Sequence, residues 1–296
     1  MQLIHSFSKP EFVFRPTQIL RRLSIAVRKP QAAMRVQLPW GHWIRIDPKE
    51  TVGSCIARQG VYDIRGCEAI WRLLEKGESA LDVGANVGQM TSLMAEKVGA
   101  KGRVYSFEPH PDIFLALNEN ISEWSKLPSS GEMMASQMAL SDKVGTSKLY
   151  MPPKFRGNNG VASLENEEPS KSTSHDVKVS TLDAVFSNEE VFGLMKMDIE
   201  GHELTALNGG ARLLSSRRVR DIVFEEHRCF PTPVTSQLME FGYKIYYIDS
   251  ILRKPKIIPV ESRYSVNQFD APNYLATLDP ARAEKIFQSS GWHCIR

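Results

Sequence analysis

The sequence predicts an α/β protein: a doubly wound, mostly parallel seven-stranded sheet behind a basic N-terminal extension. Three observations predict it. Short apolar runs alternate with helical stretches from residue 80 onward. A glycine-containing loop, Asp82-Val83-Gly84-Ala85-Asn86-Val87-Gly88, follows the first run directly and leads into a helical stretch. Acids recur where apolar runs end, at Glu108, Asp198 and Glu225. Strands that alternate with helices imply parallel pairing. Ligands of such sheets sit beyond the carboxyl ends of the strands.

The elements follow in order. Residues 1–36 stand apart, with Phe12, Phe14, Ile19, Leu20, Leu23, Ile25 and Val27 interleaved with arginines and a helix bracketed by Pro16 and Pro30. This segment is read as a helix packed on the main domain with its arginines in water. The alternative is a basic amphipathic segment in weak contact with a membrane surface or an acidic partner. Residues 37–78 form a lead-in packed on the core. Within it, 37–50 alternates as a strand does, and 66–76 is helical, with Ala69, Ile70, Leu73 and Leu74 at helical spacing and Gly77 ending it. The main domain spans 79–296. Strands are expected at 80–83, 104–107, 134–140, 194–199, 221–225, 243–248 and 274–278. Helices are expected at 89–98, 113–121, 203–214 and 233–241. Residues 152–178 interrupt the alternation and read as a long active-site loop. It holds one ordered island, Gly160-Val161-Ala162-Ser163-Leu164.

Composition bounds the function. The chain has 296 residues, 42% hydrophobic and 24% charged, which suits one large globular domain with an extension. A net charge of +3 is too small to imply a nucleic-acid partner. The charge is uneven: residues 1–50 carry nine Lys/Arg against Glu11, Asp47 and Glu50. Cys55, Cys67, Cys229 and Cys294 form no Cys-x-x-Cys pair and no zinc spacing, and read as reduced thiols of a cytoplasmic protein. No apolar run reaches the ~18–20 residues that span a bilayer.

The loop 82–88 carries the first ligand signal. Gly84 and Gly88 permit a tight turn and close backbone approach. A dinucleotide loop reads G-x-G-x-x-G; counted from Gly84, its other positions hold Asn86 and Gln89, so the pattern fails. Asp82 suits an ammonium better than a phosphate. S-adenosylmethionine has an α-amino group, a carboxylate and a sulfonium but no phosphate. Asp82, Gly84, Ala85, Asn86 and Gly88 are therefore expected to bind it, the acid beside exposed backbone N–H groups. Glu108 ends the second strand, where an acid can accept both ribose hydroxyls. Met138-Ala139-Leu140-Ser141-Asp142 is expected against the adenine, with Ser141 at its edge, although Ser141 and Asp142 are also turn formers.

The fourth strand runs into Lys196-Met197-Asp198-Ile199-Glu200-Gly201-His202-Glu203. Asp198 is read as the acid beside the methyl donor, and as both a catalytic and a cofactor-binding residue. Glu200 and His202 are read as groups that orient or deprotonate a hydroxyl. Glu203 is either a further acid or the cap of the helix it opens. Glu225, Glu226 and His227 add acid–base groups to the same edge, and His110 is read as a helix-start residue. Asp198, Glu200 and Glu226 could hold a divalent ion, but acids at a helix start are more often caps, so no metal is assigned.

These segments carry a family resemblance. The loop 82–88, Phe107-Glu108-Pro109, Val179-Ser180-Thr181-Leu182-Asp183 and, above all, Met197-Asp198-Ile199-Glu200-Gly201-His202-Glu203 resemble the FkbM-type methyltransferases. The resemblance runs from about residue 46 to about 227. It implies a Rossmann-like class I S-adenosylmethionine-dependent sheet. It also implies transfer to a hydroxyl oxygen of a small molecule, a sugar or natural product, with the island 160–164 in the active-site cover. Three readings compete. A non-catalytic S-adenosylmethionine-binding protein would keep Asp82 and Glu108 without needing the acids at 198–203. A nucleic-acid methyltransferase commonly has an Asn/Asp-Pro-Pro-Tyr type turn where this chain has Asp198-Ile199-Glu200-Gly201, and that acidic edge repels phosphates. An NAD-dependent oxidoreductase would need the dinucleotide pattern that fails at Asn86 and Gln89.

Overall fold

The computed structural model describes residues 10–295 except 14, 29, 31, 153–156, 158–161, 165–172, 187–189, 252–253 and 263–272. The N-terminal part holds α1 (Pro10–Val13), α2 (Thr17–Arg28), the hairpin β1 (Met34–Gln37) and β2 (Trp43–Ile46), then α3 (Thr51–Gln59) and α4 (Ile64–Leu73). The alternation follows: β3 (Ser79–Val83), α5 (Gln89–Val98), β4 (Arg103–Phe107), α6 (Pro111–Trp124) and β5 (Glu132–Ser136). Next come β6 (Ala139–Leu140), β7 (Gly145–Met151), β8 (Thr173–Ser180), α7 (Leu182–Val185), β9 (Phe192–Met197), α8 (Glu203–Asn208), α9 (Ala211–Ser215) and β10 (Val219–Glu225). The chain closes with α10 (Pro233–Glu240), β11 (Lys244–Ile251), β12 (Lys254–Pro259), β13 (Asn273–Thr277) and α11 (Pro280–Phe287).

Among the described residues the central sheet has eight strands in the order β12-β11-β13-β10-β9-β3-β4-β5. From β5 to β10 the pairs are parallel. β13 runs antiparallel to both of its neighbours. The seven expected strands thus form the sheet, and β12 is added as an antiparallel return on β11 at the edge. Its Lys254 is exposed there, a charge that discourages further strand pairing.

Side-chain parity sorts the sheet into two apolar layers. Ala80, Val104, Leu194 and Val223 join one cluster with α4, α5 and the β1–β2 hairpin. Leu81, Val83, Met195, Met197 and Phe224 join the other, with α8, α9 and α10. β9 is central, and all six of its residues are buried, as expected where helices cover both faces of a parallel sheet. The same parity sends Asp82 and Lys196 to the first face. They are direct partners in the β3–β9 register.

Several expectations need correction. The strand expected over 134–140 is two strands. Met138 N–H donates to the Ser136 carbonyl (3.0 Å) in a tight turn, and β6 leaves the central sheet for a second one, ordered β6-β8-β7. The loop expected over 152–178 is shorter, because residues 173–178 belong to β8, which pairs antiparallel with β7 from Met151 opposite Thr173. The helix expected over 203–214 breaks at Gly209-Gly210. A Cβ on Gly209 would lie 1.9 Å from the Ser141 carbonyl oxygen, so two chain segments touch there and end α8. Of 37–50 only Gln37 and residues 43–46 are strand: Gln37 ends β1, which starts at Met34 inside the expected extension, and 43–46 is its partner β2. The helix α3 was not expected. Gly53 interrupts its pattern, and a Cβ there would meet the Asp47 carbonyl oxygen at 2.0 Å.

The N-terminal helix α2 matches the segment bracketed by Pro16 and Pro30, and it packs mainly on α3. Among the described residues no helix is long and apolar enough to cross a membrane.

Candidate active site

The carboxyl ends of β3, β4, β9 and β10 open onto one cavity, where a ligand of an open α/β sheet belongs. Its walls include Gly84, Ala85, Asn86 and Val87 from the first turn, Glu108 after β4, and Asp198, Ile199 and Glu200 after β9. Met138, Ala139 and Leu140 form an apolar side. Val52 comes from α3, Tyr62 and Asp63 from the link between α3 and α4, and Leu149, Ala162, Ser163 and Leu164 from the β7–β8 hairpin.

The first turn is bonded to the end of β4 and to itself. Gly84 and Ala85 N–H both donate to the Phe107 carbonyl, at 3.0 Å each, and Gly88 N–H donates to Ala85 (2.9 Å). Asn86 N–H donates to Glu108 Oε2 (3.0 Å), and Val87 N–H to Asn86 Oδ1 (2.7 Å). The exposed N–H groups expected here are therefore engaged, three with Phe107 and Glu108 at the end of β4 and two within the loop. Gly84 has φ +80°, and a Cβ on it would sit 2.0 Å from the Asp198 carbonyl oxygen. Gly88 serves packing rather than ligand approach: a Cβ there would meet Leu117 at 2.7 Å and Trp124 at 3.0 Å.

Asp82 also departs from expectation. It is fully buried and does not reach the cavity. Parity points it at α5, where Thr91 donates to its Oδ2 (2.6 Å) and Lys196 Nζ lies 3.7 Å from its Oδ1. Lys196 in turn donates to the Gly84 carbonyl (2.8 Å) and lies 3.7 Å from Asp198 Oδ2. Burial opposes the charge on Lys196, but Asp198 and Asp82 outweigh it and raise its pKa. Asp82 thus anchors the lysine that ties the first turn to the fourth strand end.

Glu108 lies where the sequence placed it. Its carboxylate accepts from Asn86 N–H and from His110 N–H (2.9 Å), and burial pushes its pKa up to about 7. His110 is the N-cap of α6, the helix-start role expected of it. Ser141 is buried behind the wall, its Oγ 3.1 Å from His202 Nε2. The side facing the cavity is formed by Met138, Ala139 and Leu140 instead.

The turn after β9 separates its acids. Asp198, Glu200 and His202 all line the cavity. Glu200 has φ +54° and lies 3.9 Å from His227 Nε2. Its carbonyl accepts from Ser163 Oγ (2.7 Å), which fastens the remaining island to the turn. Gly160 and Val161 of that island lie outside the described residues. Glu203 is not the N-cap of α8, which is His202; it is the buried first residue of the helix and accepts from Ile199 N–H (3.0 Å) in the turn before it. Glu226 turns to Arg228 in a two-pronged contact at 2.9 and 3.0 Å. Among the described residues no three His, Cys, Asp or Glu side chains are grouped to hold a metal ion.

Sequence reasoning missed three contributors. Tyr62 and Asp63 arrive from the start of α4, and Asn273 from the start of β13. Asp63 caps α4, accepting from Gly66 N–H (3.1 Å), and also accepts from Asn273 Nδ2 (3.0 Å). The only local signal for Asp63 is that of a cap. Glu225 was noted only as one acid among several. It ends β10 on the Lys196 face, and burial, then Asp198 and Asp63, push its pKa up to about 8.

The family described as "Methyltransferase FkbM domain" matches residues 82–245, more than half of the chain. The hexuronic acid methyltransferase AglP of Haloferax volcanii is 29% identical over 185 residues, 61% of this chain and 71% of that protein. A solved FkbM methyltransferase from Methylobacillus flagellatus is 16% identical, with a TM-score of 0.42; the match covers 67% of this chain but only 43% of that one. An S-adenosylmethionine-dependent O-methyltransferase from Thermotoga maritima is 14% identical over 73% of this chain and 65% of its own, also with a TM-score of 0.42. With its glycine turn, its Glu108 strand end and its Asp198–Glu203 turn inside the matched region, this chain belongs to the FkbM methyltransferase family.

Proposed function

We propose that the protein transfers the methyl group of S-adenosylmethionine to a hydroxyl oxygen of a sugar or related small molecule. The charge of the cavity carries this reading. Its described lining holds five carboxyl groups, Asp63, Glu108, Asp198, Glu200 and Glu225, against Lys196, and stays acidic near neutral pH even with Glu225 protonated and Glu108 partly so. Such a lining attracts a donor bearing a sulfonium and an ammonium, and repels the phosphates of a dinucleotide or a nucleic acid. The likeness to a hexuronic acid methyltransferase supports a sugar acceptor. Four thiols without a Cys-x-x-Cys pair suit a reducing cytosol.

Glu108 would hold the ribose, the wall at 138–140 the adenine, and Asp63 and Asp198 the positive methionyl end. Bound there, S-adenosylmethionine supplies an electrophilic methyl group; its transfer breaks a C–S bond, forms a C–O bond and leaves the hydroxyl proton to be taken up. Glu225 is suited to take that proton, since its pKa of about 8 lets it exchange one near neutral pH. Asp198 orients the hydroxyl. His202, held against Ser141, sets the turn that carries Asp198 and Glu200. The Leu149 and 162–164 cover excludes water, which would otherwise screen these charges.

Calorimetry with S-adenosylmethionine, S-adenosylhomocysteine and NAD tests the donor; tight NAD binding without S-adenosylmethionine binding overturns the reading. Asp198→Ala tests the chemistry. It is expected to weaken donor binding, since Asp63 alone then faces the methionyl end, and at saturating donor still to lose roughly 10²-fold or more in turnover on a panel of neutral and uronic sugars. Unchanged turnover would remove Asp198 from the mechanism.

A further inference from the structure

The N-terminal helix α2 presents two faces. Gln18 is 6% exposed, and its side chain donates to the Arg58 carbonyl of α3 (3.2 Å). Ile25 packs on the main core. At roughly 100° per residue, Leu20, Leu23 and Val27 fall within about 60° of one another on the opposite side. They are 70%, 53% and 83% exposed. Three of the nine large apolar side chains exposed among the described residues therefore lie on one stripe of one helix.

Charge is the second observation. Between residues 15 and 29 the chain has Arg15, Arg21, Arg22, Arg28 and Lys29 and no acid. A groove beside the helix is lined by Arg22, Lys49 and Arg58, again with no acid among its lining residues. An apolar stripe flanked by cations calls for a surface that is apolar inside and anionic at its rim. A second copy of this chain does not supply one. A two-fold contact through α2 would set both sets of arginines against each other, and three side chains make a small apolar seal.

We propose that α2 docks the protein on an anionic lipid bilayer. Leu20, Leu23 and Val27 enter the acyl boundary, and Arg22, Lys49 and Arg58 meet lipid phosphates. The helix lies in the plane of the surface and does not span it. Its inner face stays on α3, whose first turn reaches the cavity through Val52, so docking leaves the catalytic domain in place.

The test is sedimentation of the full chain with phosphatidylcholine vesicles, with and without phosphatidylglycerol. Binding is expected only to the phosphatidylglycerol vesicles and is expected to fall as salt rises. The triple variant Leu20→Ser, Leu23→Ser, Val27→Ser should lower binding about tenfold or more while leaving donor affinity and turnover unchanged. Arg22→Gln with Lys49→Gln and Arg58→Gln should weaken it through charge alone and reduce its salt dependence. If the apolar variant does not fold, the charge variant and the lipid comparison on the natural chain still decide. Equal binding to both vesicle types, no binding to either, or binding of free glycerophosphate alone overturns the proposal. So does a concentration-dependent dimer abolished by the triple variant.

Discussion

The turn at 84–88 and the turn at 198–203 abut one another, and each contains a glycine with positive φ, yet the space around those glycines differs. Gly84 has φ +80° and leaves 2.0 Å between a built Cβ and the Asp198 carbonyl oxygen. Gly201 has φ +94° and has nothing within 4 Å of its own. The first turn has every N–H from Gly84 to Gly88 engaged, three of them on the end of β4 at Phe107 and Glu108 and two within the turn itself. The second, with Glu200 at φ +54°, places the Asp198 and Glu200 side chains in the cavity wall while His202 and Glu203 are buried. In the proposed reading, the donor end of the cavity depends on backbone clearance and the acceptor end on side-chain chemistry. A fault in the former should act on folding and donor binding, and a fault in the latter on turnover.

The largest effect should come from Gly84→Ala. The left-handed backbone costs about 1–2 kcal/mol for a residue with a Cβ, and overpacking against Asp198 about 1–3 kcal/mol more. Denaturant unfolding should show the loss, and calorimetry a donor affinity reduced more than tenfold. Gly201→Ala should show only the backbone part, about 1–2 kcal/mol, with donor binding kept. Equal losses at the two positions would break the comparison.

Next in size is Glu225→Gln. If Glu225 takes up the proton as proposed, it is idle while protonated below its pKa of about 8 and active above it. In the natural enzyme, turnover should rise with pH through that region. The variant should lose roughly 10²-fold in kcat and flatten the rise, with donor affinity little changed. A pH profile that is the same in both would assign the proton elsewhere.

The smallest effect should come from the cover. Ser163 Oγ donates to the Glu200 carbonyl at 2.7 Å, a bond worth about 1 kcal/mol. Ser163→Ala should raise the acceptor KM about fivefold and move kcat less. A change confined to kcat would make Ser163 part of the chemistry rather than of the cover.

These contrasts also mark what could be read from the chain. Glu108, Asp198, Glu200 and His202 were legible because each follows a recognisable strand, and all line the cavity. Asp82 was misplaced because its motif position says nothing of parity, which turns it away from the ligand and onto Thr91 and Lys196. Ser141 was misplaced for a related reason: the chain leaves the central sheet after Ser136, and the side chain that follows β6 turns toward His202. Asp63 and Asn273 could not have been paired in advance. They are 210 positions apart in the chain and meet only because α4 covers the sheet beside β13.

The sequence by itself determined the strand–helix alternation, the parallel sheet, the two glycine turns and the acids at the strand ends. These follow from local patterns of apolar spacing and backbone freedom, which a single segment carries alone. Tertiary structure decided which acids face the cavity, that Lys196 joins the two turns, that Glu225 holds its proton to about pH 8, and that Leu20, Leu23 and Val27 remain uncovered. Burial and electrostatic coupling depend on which distant segments share a space, and the cavity of this methyltransferase is assembled from at least six of them.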